Sequence, residues 1–122
     1  MKIQNVKGCN DYLPQEQKIR NYINDKLKET FQEFGYQSIE TPILCYYDML
    51  IDKYDEQNDL VKEIYRLTDQ GKRKLGLRYD LTVPFAKFIA LNKNQIRLPF
   101  KRYEIAKVFR DGPKLLKHQF LF

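Results

Sequence analysis

A chain of 122 residues, 43% of them apolar, can bury one core and is too short for two ordinary domains. Its 22 Lys and Arg against 16 Asp and Glu leave a formal charge of +6, which suits a polyanion such as RNA or a nucleotide and equally serves plain solubility. Cys9 and Cys45 stand apart, without a CxxC pair and with a single histidine; this argues against a zinc site and for two free thiols in a reducing cytosol, and with no signal-type apolar region and no stretch near the ~20 apolar residues of a membrane span, a soluble cytoplasmic protein is expected.

Residues 1–13 read as an irregular lead-in. Pro14 suits the first turn of a helix, where its missing N–H costs nothing. Ile19, Ile23, Leu27, Phe31 and Phe34 follow at spacings of four and three, with polar residues on the other face. A helix over 14–34 is predicted, closed by Gly35 as a left-handed cap. Tyr36 to Ile43 reads as a strand in which Pro42, lacking a ladder donor, marks an edge, an interface or the strand's end. A short helix over 46–53 and a polar loop over 54–60 come next.

Runs of strand type at 64–68 (IYRLT) and 74–78 (KLGLR), separated by DQGKR, predict a hairpin. Thr82 is placed to cap a second helix with Pro84 in its first turn, and Phe85, Phe88, Ile89 and either Leu91 or Val83 would form its buried side. After a loop at 92–97, a long strand is expected from Pro99 to Arg110. One of its faces would carry Phe100, Arg102, Glu104, Ala106, Val108 and Arg110, and neither face is purely apolar. That pattern fits the floor of a wet cleft or a merely exposed sheet. The element order predicts an α+β fold with a largely antiparallel sheet. With no GxxxxGK[ST] and no GxGxxG, a nucleotide would be held by side chains on that sheet.

Two segments carry the groups of chemical interest. In LRYDLTVPFA (77–86), Asp80 and Thr82 fall between a strand and a helix. A carboxylate and a hydroxyl two residues apart there could grip a small ammonium group; alternatively Thr82 caps the helix while Asp80 pairs with Arg78 or favours the helix N-terminus. In KRYEIAKVFRDGP (101–113), the strand delivers Arg110 to a turn as a planar cation on a rigid support, suited to a phosphate or to charge developing at phosphorus. His118, the only histidine, has no Ser, Cys or Asp partner at a telling distance and is not expected to act as a base.

These two segments, with KGCNDYLP (7–14) and ETP (40–42), resemble in order and wording the opening of the histidyl-tRNA synthetases, a family of class II aminoacyl-tRNA synthetases, from about residue 5 to Pro113. The resemblance implies a class II antiparallel sheet with flanking helices, here incomplete. It implies that residues 14–43 are motif 1, the homodimer interface, and that 100–113 are the first half of motif 2. It implies that Arg110 binds the α-phosphate of ATP and the histidine carboxylate, that Asp80 and Thr82 hold the histidine α-amino group, and that Mg²⁺ accompanies ATP. The reaction implied is attack of the histidine carboxylate on the α-phosphorus, giving histidyl-adenylate and pyrophosphate, then transfer to tRNA-His.

After Pro113 the wording departs. The family continues with a basic segment resembling G-R-x-R-E-F, whereas this chain reads KLLKHQFLF (114–122) and ends without motif 3 or an anticodon-binding domain. The expectation is a frameshifted product, a gene-prediction artefact or a short paralogue, inactive alone, with strand 99–110 left with an open edge and the chain dimerising through 14–43 or self-associating. Two alternatives remain open. One is a non-catalytic paralogue such as a regulatory subunit of ATP phosphoribosyltransferase; the other is a basic dimerising or RNA-binding module.

Overall fold

The computed structural model describes residues 1–52 and 57–112. Position 53 of the expected short helix, positions 54–56 of the expected loop, Pro113, and the divergent tail with His118 lie outside the described residues.

Pro14 opens helix α1 (Pro14–Glu33), as expected. Gly35, at φ +81, closes it. Its N–H donates to Gln32 O at 3.0 Å and that of Tyr36 donates to Phe31 O at 2.9 Å, so two orphan carbonyls of the last turn are satisfied by a left-handed cap. None of the helix's residues is buried: Ile19 is 62% exposed, Ile23 43% and, just past its end, Phe34 67%. The apolar stripe read from the sequence exists, but the described residues leave most of it uncovered. Only its C-terminal end packs, where Phe31 stacks on Tyr103 with ring centroids 5.1 Å apart.

The strand expected over 36–43 is instead two short strands in different sheets. β1 (Gln37–Ser38) runs parallel to β5 (Arg102–Tyr103), pairing Gln37 with Arg102 and Ser38 with Tyr103. β2 (Leu44–Tyr46) joins the other sheet. The break has a local cause. The Thr41 N–H donates to the Glu104 carboxylate at 2.8 Å rather than to a strand, and Pro42 has no N–H to give.

Helix α2 (Tyr47–Ile51) and the single turn α3 (Asp59–Lys62), capped by the Asn58 side chain, lead into the predicted hairpin of β3 (Arg66–Thr68) and β4 (Lys74–Leu77). β4 lies between β2 and β3, antiparallel to both. Gly76 is needed at its centre: a Cβ there would meet Leu50 Cδ1 at 2.9 Å and Tyr65 O at 3.1 Å. Helix α4 (Thr82–Asn92) follows. Cys45, Leu50, Ile64, Tyr79 and Val83 form the core between this sheet, α2 and α4. Leu91, one of two candidates for the buried side of α4, is 73% exposed, and Val83 takes that role.

The α+β class is as expected, with a small antiparallel sheet. The long strand over 99–110 is not. Only Arg102 and Tyr103 enter a ladder, because beyond them no neighbouring strand among the described residues lies alongside. The backbone groups there bond singly to loops instead: Phe109 N donates to Arg78 O at 2.9 Å and Asp111 N to Glu63 O at 2.7 Å.

Candidate functional site

The junction between β4 and α4 is built around Arg78. This side chain is 3% exposed, and it holds three segments at once. Its Nε donates to Lys107 O at 2.8 Å and its Nη1 to Thr41 O at 2.7 Å. Its backbone N–H donates to Ile43 O, and its carbonyl accepts from Phe109 N. The counter-charge is Glu104, 2% exposed, with Oε2 3.6 Å from Arg78 Nη1. Glu104 in turn accepts from the Thr41 N–H and hydroxyl at 2.8–3.0 Å. Among the described residues no buried side-chain nitrogen or oxygen lacks a partner, so the network is closed, as a low-dielectric interior demands.

Asp80 and Thr82 follow on this anchor. Asp80 is half-buried, and its Oδ1 accepts from the N–H groups of Thr82 and Val83 at 3.2 and 3.3 Å. The acid therefore satisfies the helix start that the sequence assigned to Thr82. Thr82 is itself the first helical residue, exposed, with Leu81 at the cap position and no side-chain cap bond. Asp80 does not pair with Arg78, which is committed to Glu104 and Thr41. Among the described residues the Asp80 Oδ2 and the Thr82 hydroxyl have no hydrogen-bond partner.

Arg110 is half-buried, and its Nε donates to Tyr79 O at 3.0 Å. That bond ties the guanidinium to the peptide just before Asp80. No carboxylate among the described residues lies within ion-pair distance of it. Two concavities lie elsewhere. One of about 440 Å³ is lined mainly by the aromatics Phe31, Tyr36, Phe85, Phe100 and Tyr103, and one of about 210 Å³ lies beside Cys45 and Lys87. Asp80, Thr82 and Arg110 line neither. No group of three His, Cys, Asp or Glu side chains among the described residues is placed to hold a metal ion.

The Arg78–Glu104–Thr41 network was not anticipated. Its members read as ordinary charges and a threonine within the expected strand 36–43, since periodicity does not reveal which charged residue is buried. The one available signal was position: Arg78 and Glu104 occupy the same two segments as Asp80 and Arg110.

The sequence matches the family described as histidyl-tRNA synthetase over residues 8–120. The chain belongs to the histidyl-tRNA synthetase family. It is 58% identical over 113 residues to histidine–tRNA ligase 1 of Bacillus cereus, an alignment covering 93% of this chain and 26% of that protein. It is 41% identical over 110 residues to the histidine–tRNA ligase of Borreliella burgdorferi, covering 90% and 24%. Among solved structures, the histidyl-tRNA synthetase of a Nostoc species superposes with a TM-score of 0.80 at 30% identity, covering 93% of this chain and 26% of that one. A Bacillus halodurans protein described as an ATP phosphoribosyltransferase regulatory subunit/histidyl-tRNA synthetase gives 0.79 at 28% identity, covering 93% and 29%. The fold is thus part of the class II synthetase fold, and the chain spans about a quarter of the length of the curated relatives it matches.

Proposed function

We propose that this chain supplies the part of a histidine–tRNA ligase that grips histidine at both ends and the α-phosphate of ATP. Asp80 Oδ2 and the Thr82 hydroxyl take the histidine α-ammonium, the acid providing charge and the hydroxyl direction. Arg110 faces the carboxylate and the α-phosphate with its terminal nitrogens. Histidine's carboxylate oxygen forms a bond to the α-phosphorus, the bond to the bridging oxygen breaks, and pyrophosphate leaves with that electron pair. Arg110 stabilises charge as it shifts, an effect worth ~3 kcal/mol for a well-placed donor. Mg²⁺ would come with ATP and supply neutralising charge at its phosphates, since no group of three His, Cys, Asp or Glu among the described residues is placed to hold it. The acceptor of the histidyl group is tRNA-His, and the work is done in the cytoplasm.

The observation carrying this is the Arg110 Nε–Tyr79 O bond beside an acid–hydroxyl pair that has bonding capacity left over. A homodimer through 14–43 belongs to the same proposal, supported by the uncovered Ile19, Ile23 and Phe34. No helix among the described residues is long and apolar enough to cross a membrane.

Calorimetric titration of histidine into the chain should show binding that Asp80→Asn weakens by about tenfold or more, the scale of losing one charge-assisted hydrogen bond. Histidine-dependent ATP–pyrophosphate exchange then reads the chemistry. Absence of both histidine binding and exchange would refute the proposal. Salt-sensitive tRNA binding with neither would instead favour a basic RNA-binding module. The regulatory-subunit alternative finds support in the Bacillus halodurans neighbour, but the relatives at 58% identity are named ligases.

A further inference from the structure

Resting on the function just proposed, we infer that Arg78 is a positioning residue: its buried guanidinium, with Glu104 as counter-charge, sets the gap between the Asp80–Thr82 pair and Arg110. Arg78 is two residues before the acid, and the backbone that follows has little freedom of its own. Among the described residues, strand 102–103 pairs only with β1. Past residue 104, nothing in a ladder fixes where Arg110 falls along the chain's path.

What fixes it is a set of single bonds, most of them converging on Arg78 and its neighbour, with Asp111 N donating to Glu63 O just beyond. Lys107 O is held by Arg78 Nε, Phe109 N by Arg78 O, and Arg110 Nε by Tyr79 O. On the other side, Thr41 O and the Ile43 carbonyl hold the same residue. Lys107 and Thr41, one on each side, are 29 and 37 residues from Arg78 in sequence, so no local turn could replace them.

The chemistry of the side chain matters. A guanidinium is planar, and its Nε and Nη1 donors point in fixed directions toward Lys107 O and Thr41 O. A lysine ammonium is a point charge on a flexible stem and cannot reach both carbonyls with the same fixed geometry. A buried ion pair of this kind adds little stability over an apolar pair of equal volume, but it admits one arrangement of the three segments where an apolar pair would admit several. Glu104 lies on the same segment as Arg110, six residues earlier, and its Thr41 contacts align that segment at its start.

Hydrogen exchange measured by NMR on the 122-residue chain tests the inference without any ligand. In the parent protein the Arg110 Nε–H and the amide of Phe109 should exchange slowly. In Arg78→Lys, both, with the Thr82 and Val83 amides, should lose protection by about tenfold more than Leu77, whose N–H is held by Tyr65 O. Arg73→Lys, in the exposed hairpin turn, should leave the pattern unchanged. A uniform loss across all these groups, or none at Arg110, would overturn the inference. If Arg78→Lys does not fold, Thr41→Val decides, since it removes only a hydroxyl: a selective loss of about threefold at Arg110 and Phe109 supports the clamp, and an unchanged pattern refutes it. Failure of the parent protein to bind histidine would defeat the proposed function, while this exchange pattern would still decide the role of Arg78.

Discussion

Replacing Glu104 by glutamine removes one charge from the interior and almost nothing else. The side chain keeps its shape, its carbonyl oxygen can still accept the Thr41 N–H, and the new amide can donate to the Thr41 hydroxyl. What disappears is the attraction to Arg78 Nη1 at 3.6 Å, about 4–5 kcal/mol at an effective dielectric of 20. Part of that is returned because a neutral amide is cheaper to bury than a carboxylate. Arg78, 3% exposed, is then a buried cation without its counter-charge, a situation that costs about 3–5 kcal/mol when one partner of a pair is lost. We expect Glu104→Gln to destabilise the chain by about 3 kcal/mol, lowering the urea midpoint by at least about 1 M. With nine tyrosines and no tryptophan, far-UV circular dichroism and tyrosine fluorescence are the suitable probes. A double-mutant cycle with Arg78→Met should return a coupling of about 1 kcal/mol or more. A midpoint for Glu104→Gln equal to that of the parent protein would show that the pair is solvated or absent in solution.

Gly76→Ala should cost about 1–3 kcal/mol, because its Cβ would meet Leu50 Cδ1 and Tyr65 O inside ordinary contact distance; an unchanged thermal midpoint would show that β4 and α2 are further apart than described. Burial raises the Cys45 thiol above its ordinary 9.0, against smaller opposing effects of Lys87 and Arg78. The unfolded chain's thiol then ionises first, so the Cys45 contribution to stability is level below about pH 9 and falls as pH rises above it, and Cys45→Ala should make the alkaline decline less steep in denaturation curves taken across that range. Exposed Cys9 should alkylate well before buried Cys45 under native conditions; equal rates would contradict the burial. Ile23→Asp on the open face of α1 should weaken self-association by about tenfold in sedimentation equilibrium with helix content unchanged, and a parent protein that stays monomeric at its solubility limit would rule out an interface there.

Elements defined by local chemistry were legible in the sequence. Pro14 and Gly35 bracket α1 because a first-turn proline and a left-handed cap act within a few residues. The hairpin at 64–78 was readable for the same reason. The strand over 99–110 was not, because a strand is defined by its neighbour, and alternation along one segment is silent about whether a neighbour is present. The helix start at 82 illustrates a closer contest. Both Asp80 and Thr82 belong to the capping residues, and the acid prevails since the chain turns into the helix at Leu81, bringing the amides of Thr82 and Val83 to one carboxylate oxygen. Burial of Arg78 and Glu104 was the least legible feature. A charged residue enters a core only when its partners converge from far along the chain, and several of those partners here are backbone groups, the Lys107 and Thr41 carbonyls for Arg78 and the Thr41 N–H for Glu104, which no residue type announces.

The contrast between two arginines shows why position in a sequence does not make a site. Arg73 is exposed and spends its Nε on Asp69 Oδ2 at 2.6 Å, so its charge is already answered and solvent screens what remains. Arg110 spends its Nε on a neutral carbonyl. That bond fixes the orientation of the guanidinium without cancelling its charge, and under the proposed function it is the terminal nitrogens that meet an anion. A cation held still by a neutral acceptor loses little further freedom when a phosphate or carboxylate arrives, and a donor fixed in advance where charge develops needs no reorganisation as the reaction proceeds. The same division operates at Asp80, where one oxygen is used to start α4 and the other is left over. Both groups are therefore half structural by necessity. A substitution at either should lower stability as well as the proposed binding, and only an isosteric change such as Asp80→Asn, which can keep the helix-start bonds through its carbonyl oxygen, separates the two effects.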